Sequence, residues 1–212
     1  MALIAIAACA GALVHPAAQG LPAAADLAAR VQAHYNTVRD FTADFTLSST
    51  SGLLPRATVE QGQLKVKKPG RMRWAYTSDD KKLFVADGVQ VYSYFPKDKY
   101  VAVTPLPKGD QASTALLFLT GNGDVVRDFA PSVPADQPAG EWQLVLKPKA
   151  PQADFTSLVL HVDRRTMQIR GFVVSDTQGG KSTFRFENIK ENQNLADRDF
   201  LFTIPKGVEV RR

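Results

Sequence analysis

The chain has 212 residues, 44% of them hydrophobic, with 14 Gly and 13 Pro, which supplies one sizeable core or two small ones and excludes a disordered or collagen-like chain. Twenty-six Lys and Arg against 21 Asp and Glu leave a net charge of +5, mildly basic and far from a dedicated polyanion binder. The one cysteine, Cys9, lies in an uncharged, Ala-rich stretch that runs to residue 25. Residues 26–212 therefore exclude a disulfide framework, a thiolate metal site and a cysteine nucleophile.

Residues 1–25 read as an export signal, with Leu3 to Val14 as a short apolar run, then Pro16 and small residues suited to cleavage between Ala12 and Ala25. The run lacks the Lys or Arg that usually opens such a signal, which points to a start upstream or a different initiating residue. Ile6-Ala7-Ala8-Cys9 loosely resembles a lipid-attachment site, but the apolar run before it is too short. Nothing later is apolar for the roughly 18 residues a membrane span needs, so residues 26–212 are expected to form a single soluble domain.

From Asp26 to Arg39 the positions Leu27, Val31, Tyr35 and Val38 recur at helical spacing, with Asp26 placed to cap the helix. The period then changes to two. Phe41, Ala43, Phe45 and Leu47 alternate with polar residues, as on a half-buried strand. Alternation returns at Leu64 to Lys67, Met72 to Tyr76, Trp142 to Leu146, Leu158 to Val162, Met167 to Val174, Phe184 to Phe186 and Phe200 to Ile204. Asp87-Gly88 reads as a two-residue hairpin turn between Leu83–Ala86 and Val89–Phe95. About ten or eleven strands with hairpin-length connections describe an antiparallel meander, because parallel strands need long crossovers. Ser113 to Thr120, ended by Gly121-Asn122-Gly123, predicts a short helix that is apolar all round and must be buried. Pro131 to Gly140 reads as a solvent-facing loop, too short to divide domains.

Catalytic signatures are absent: there is no G-x-S-x-G, H-E-x-x-H, P-loop or dinucleotide fingerprint. His34 lies near the buried edge of the first helix and His161 alternates with Leu160 and Val162, so both read as structural. His161 and Asp163 offer two ligands where a closed metal site needs four. Ser78-Asp79-Asp80-Lys81 matches S-x-x-K in a turn, where the helical geometry that motif needs is missing. The cations Lys65, Lys67, Lys68, Arg71 and Arg73 cluster with Trp74 and Tyr76, as on some single-strand nucleic-acid surfaces. Parity puts the rings on one strand face and all the cations except Lys68 on the other. That leaves a solvated sheet face, or a docking face for an acidic partner or an anionic membrane. Twelve Phe, five Tyr and two Trp crowd strand positions where Val or Ile is ordinary. They make either an aromatic core or an apolar pocket plugged by the short helix.

The run Gly62-Gln-Leu-Lys-Val-Lys-Lys-Pro-Gly-Arg-Met-Arg-Trp74 resembles the central signature of the LolA family, periplasmic carriers of lipoproteins. Four further stretches agree in order: Phe41 to Phe45; Val85 to Gly88 leading into Val91 to Pro96; Ala115 to Leu119; and Phe186 to Asn188 through Asn192, Phe200 to Phe202, Pro205 and Gly207 to Val210. The resemblance covers essentially residues 26–210. It implies a mainly β fold, an unclosed antiparallel barrel whose concave apolar face is covered by a lid of short α-helices. Acyl chains of acylated lipoproteins would enter between lid and sheet. It further implies a monomer in the periplasm, an inner-membrane lipoprotein-releasing ABC transporter as donor and an outer-membrane acceptor lipoprotein. No cofactor, no nucleic acid and no catalysed reaction are implied.

Carried over by position, Phe84, Phe118 and Phe172 match cavity or lid positions of the family. With strand parity and the helix pattern, the expected acyl-chain site is Phe41, Phe45, Leu64, Val66, Lys68, Met72, Trp74, Phe84, Leu116, Phe118 and Phe172. Lys68 stands where many members have Arg in a K-R-P signature thought to tie sheet to lid, and loses the planar fork. Met72 stands where many have Phe, and its thioether still suits variable chains. A sensor of mislocalised lipoproteins, or a carrier of another lipid, on the same fold is the alternative. Parity further predicts that Leu64, Val66, Met72 and Trp74 line the cavity while Lys65, Lys67, Arg71 and Arg73 face solvent, with Lys68 on the cavity side.

Overall fold

The two-residue period of the sequence is realised as one curled sheet with a helix laid on its inner side. The structure, a computed structural model, describes residues 20–52, 57–78, 80–106 and 123–212. Helix α1 spans Ala24–Thr37 and buries Leu27, Ala28, Val31 and Tyr35, the stripe its spacing predicts. It starts two residues earlier than expected, and Ala23 at its N-cap makes no side-chain bond. Asp26 falls in the first turn instead, where its charge complements the helix dipole.

Twelve strands follow among the described residues: β1 Asp40–Thr50, β2 Thr58–Lys67, β3 Arg71–Tyr76, β4 Leu83–Asp87, β5 Gln90–Phe95, β6 Tyr100–Pro105, β7 Phe129–Ser132, β8 Glu141–Pro148, β9 Ser157–Asp163, β10 Ile169–Ser175, β11 Lys181–Glu191 and β12 Glu209–Arg211. Their order is β12-β6-β5-β4-β3-β2-β1-β11-β10-β9-β8-β7. Two antiparallel meanders are thus joined where β1 pairs with β11, and the sheet stays open between β12 and β7. The count exceeds the expected ten or eleven, and one pairing departs from the antiparallel rule: β12 runs parallel to β6. Parallel pairing is possible there because the chain reaches β12 by a long crossover over the outer face.

Opposed residues in a ladder share a face, so the pairings fix the inner side. Ala43 opposes Leu64, Leu64 opposes Trp74, and Trp74 opposes Phe84. Phe41 and Met72 both oppose Val66, while Phe45 opposes Phe186 and Phe172 opposes Phe184. These residues belong to one apolar cluster that also contains the buried face of α1.

Three expected boundaries are corrected. The β4–β5 turn sits one residue later, on Gly88 and Val89, because the Asp87 carboxylate accepts from the backbone N–H groups of Val89 and Gln90 at 2.8 Å. The predicted loop at Pro131 begins inside β7, an edge strand, where a missing N–H costs nothing. Phe200 to Ile204 is no strand: a 3-10 helix, Asp197–Phe200, leads into an extended strap. Its alternation reflects rings packed on the sheet rather than a ladder. A short helix α2, Val125–Asp128, is capped by Asp124, whose side chain accepts from Val126 and Arg127 N–H. The predicted helix at Ser113–Thr120, with Leu116 and Phe118, lies outside the described residues.

Candidate functional site: the ring-lined concave face

The inner face carries a continuous series of ring contacts. Phe186 meets Phe172 at 5.8 Å between centroids, Phe172 stacks on Phe184 at 4.6 Å, and Phe184 meets Trp74 at 4.9 Å. Trp74 stacks on Phe45 at 5.3 Å, Phe45 meets Tyr76 edge-on at 5.0 Å, and Tyr76 meets Phe84 at 5.8 Å. Phe84, Phe95 and Tyr100 continue it at 5.8 and 4.8 Å. The Phe184–Trp74 contact measures the curl. Three strand spacings separate β11 from β3, about 14 Å on a flat sheet, yet the rings touch. Gly62 contributes by being small: a Cβ there would lie 2.7 Å from the Phe45 ring and collide with the Ala75 carbonyl. Phe45 therefore lies over Gly62 and reaches the β3 rings.

Of the expected site residues, Phe45, Leu64, Val66, Met72, Trp74 and Phe172 are buried in the apolar cluster, and Phe41 and Phe84 pack partly buried against it. Phe41, Phe172 and Phe186, with Tyr35 and Val38 of the helix segment, line a narrow apolar cleft of about 40 Å³ between α1 and the sheet.

Lys68 reaches Tyr35, one of the residues that line this cleft. Its ammonium donates to the Tyr35 carbonyl in the last turn of α1 and lies 3.3 Å from the Tyr35 ring centroid, combining a C-terminal dipole with a cation–π contact. Burial pushes its pKa down to about 8, with Glu191 pulling the other way. Glu191 also faces His34 of α1 at 3.1 Å. Helix and sheet are therefore clasped at two polar points beside the rings. At the other end of the face Glu60 and Lys82 pair at 2.6 Å. Lys82 stands 4.8 Å from the Tyr76 ring, and burial with the Glu60 charge pushes the Tyr76 phenol up to about 12.

Lys65, Lys67, Arg71 and Arg73 lie on the outer face, part-exposed, and the strap runs alongside them. Lys67 donates to the Leu195 carbonyl at 2.8 Å and pairs with Asp197, Arg71 approaches Asp197 at 3.5 Å, and Lys65 approaches Asp199 at 3.8 Å. Arg73 donates to the Leu201 carbonyl at 3.3 Å. The cations hold the chain's own acidic segment while Lys65, Lys67 and Arg71 stay 29–38% exposed, so this is a solvated face already partnered in part by the strap.

His161 is buried under the outer face with Glu141 at 3.3 Å, and burial lowers its pKa. Asp163 is engaged by Arg165 and Thr166 N–H and by Arg170, which together hold it down to about 2. Ser78 and Lys81 close a turn by their backbones. Among the described residues no group of three His, Cys, Asp or Glu could hold a metal ion, and no helix is long and apolar enough to cross a membrane. Sequence reading missed the Tyr35 carbonyl, Glu191, Glu60 and the acidic strap. Only the strap carried a local signal, in Asp197 and Asp199.

A single open, mainly β sheet, curled around a ring-lined face with a helix against it, defines the class as a helix-covered half-barrel. A protein in Thermus thermophilus described as an uncharacterized conserved protein shares the fold, with a TM-score of 0.54 at 14% identity over 88% of this chain and 98% of that one. A sequence profile of the family described as "Outer membrane lipoprotein carrier protein LolA" matches residues 36–203, and the chain belongs to that family. Proteins named outer-membrane lipoprotein carrier protein are similar over most of their length. That of Chromohalobacter salexigens is 29% identical over 87% of this chain and 86% of its own. That of Vibrio campbellii is 28% identical over 80% and 78%, and that of Pseudomonas paraeruginosa 28% over 82% of each.

Proposed function

We propose that the chain is a periplasmic carrier that binds the acyl chains of lipoproteins on its concave face and takes them from the inner to the outer membrane. The observation that carries this reading is the unbroken series of rings from Phe186 to Tyr100 across the inner face. Exposing one 16-carbon chain to water costs on the order of 10 kcal/mol, at about 0.8 kcal/mol per methylene, so a lipoprotein needs such a cover between membranes. Phe41, Phe45, Leu64, Val66, Met72, Trp74, Phe84 and Phe172 form the wall in this reading. Helix α1 forms part of the cover and Lys68 restrains it, while Leu116 and Phe118, expected in the lid, lie outside the described residues. The carrier performs no reaction and needs no cofactor. Loading draws its energy from an inner-membrane ABC transporter, and unloading goes to an acceptor lipoprotein in the outer membrane.

The test is rescue of lipoprotein sorting in a cell depleted of its own carrier, with lipids extracted from the purified protein and identified by mass spectrometry. Rescue with acylated peptide in the extract is the expected result. Extraction of another lipid without rescue would move the chain to the lipid-binding alternative.

A further inference from the structure

Three buried side-chain polar atoms lack a hydrogen-bond partner among the described residues: Trp74 Nε1, Ser78 Oγ and His161 Nδ1. Ser78 belongs to the β3–β4 turn and His161 has Glu141 beside it on the outer side. Trp74 differs, because its orphaned donor lies in the middle of the ring series. The residue is only 8% exposed, opposes Leu64 and Phe84 on the inner face, and is packed against Phe45 and Phe184. A Phe at this position would keep the ring contacts without leaving a desolvated N–H unpaired, and an unpaired donor in an apolar wall is a standing cost.

We propose that the Trp74 indole N–H is the donor for the carbonyl of an acyl linkage in the bound lipid. This deepens, and rests on, the acyl-carrier reading above. An acyl chain is apolar except where it is attached, and there an ester or amide carbonyl accepts hydrogen bonds without donating any. Drawn onto the ring-lined face, that oxygen loses its water, and Phe45 and Phe184, the rings packed on Trp74, offer it nothing else to accept from. The bond forms only with cargo in place, so it favours the loaded state. It also sets how deeply the chain enters, which methylene–ring contacts alone leave free to slide.

Three probes test this, each a short cysteine peptide with two 16-carbon chains: ester-linked with a free amine, ether-linked with a free amine, and ether-linked with an N-acyl amide. Affinity is measured for the parent and for Trp74→Phe, and the Trp74 Nε1–H resonance is followed in ¹⁵N-labelled parent, assigned by its loss in the variant. The expected result is that the ester probe binds the parent about fivefold to tenfold more tightly than the plain ether, with a downfield indole shift. In Trp74→Phe this preference disappears while all three probes still bind. A shift with the N-acyl ether instead would identify the amide carbonyl as the acceptor. If all three bind the parent equally and the resonance stays in place, the proposal is overturned and the carrier reading stands. If none binds, the carrier reading falls and this inference with it. The parent's resonance decides the matter even if the variant folds poorly.

Discussion

At the scale of single residues, Lys68 does two opposed things: it holds the last turn of α1 through the Tyr35 carbonyl and ring, and it does so as a charge half out of water. Its pKa falls from 10.5 to about 8 because burial disfavours the ammonium more than Glu191 supports it. Between those two values the unfolded chain binds one proton more than the folded one, so this group makes stability rise with pH from about 8 to about 10.5. Below about 8 the penalty is fully present. Denaturant midpoints at pH 7.5 and pH 10 are therefore expected to rise more for the parent than for Lys68→Met, and equal rises would put the ammonium in bulk water. In the carrier reading the same contact must break when the helix yields to cargo, so it favours the empty state. Lys68→Leu is expected to accept cargo but pass it to acceptor membranes more slowly, whereas Lys68→Arg matches or exceeds the parent because its fork reaches more carbonyls. Transfer rates from loaded protein decide it. The inward aim of Lys68 was legible from parity with Val66 and Met72. Its partner was not, since Tyr35 lies 33 positions away on an element of another period.

At the scale of elements, the strap is the part that sequence pattern misread. Asn192, at φ 56°, turns the chain out of β11, and the buried Asp40 carboxylate accepts from the N–H groups of Gln193 and Leu195 at 2.6 and 3.3 Å. The strap then crosses β2 to β5 on the outer side, where Phe200 is wholly buried and the Phe202 ring meets Tyr92 and Tyr94 at 5.4 and 5.5 Å. Alternating rings made it read as a strand because a chain laid across a sheet also buries every second side chain. The strands of the ladder were legible for a firmer reason: a one-residue slip would reverse every buried position, so composition and register agree from β1 to β5. Phe200→Ala is expected to cost about 3–5 kcal/mol. Urea unfolding with unchanged m-value checks this, and limited proteolysis should cut the freed strap between Asn192 and Pro205. A loss under about 1 kcal/mol would mean that the paired cations, rather than the ring, hold the strap.

At the scale of the whole molecule, one apolar face has two claimants. The rings of the sheet are covered on one flank by α1, whose Leu27, Ala28, Val31 and Tyr35 belong to the same cluster as Phe45, Trp74 and Phe172. In the carrier reading, cargo must take area from these side chains or lift them. The sheet cannot yield in the same way, because each inner strand is bonded on both sides. The helix is tied to it by a handful of polar contacts near its C-terminal end, Lys68 to Tyr35 and Glu191 to His34, with Val125 N–H donating to Gln32 from α2 at 2.8 Å. Loading is therefore expected to loosen α1 and leave the ladder as it was. Amide hydrogen exchange reads this directly, since local opening is measured segment by segment. Residues 24–37 should exchange at least several-fold faster in the loaded protein, while β1, β2 and β3 keep their protection. If α1 and the central strands were both unchanged on loading, the chains would have to bind without displacing the helix, through the open side of the sheet between β12 and β7. Faster exchange in β1–β3 together with α1 would instead mean that cargo opens the barrel itself, and the division into a rigid wall and a yielding cover would be wrong.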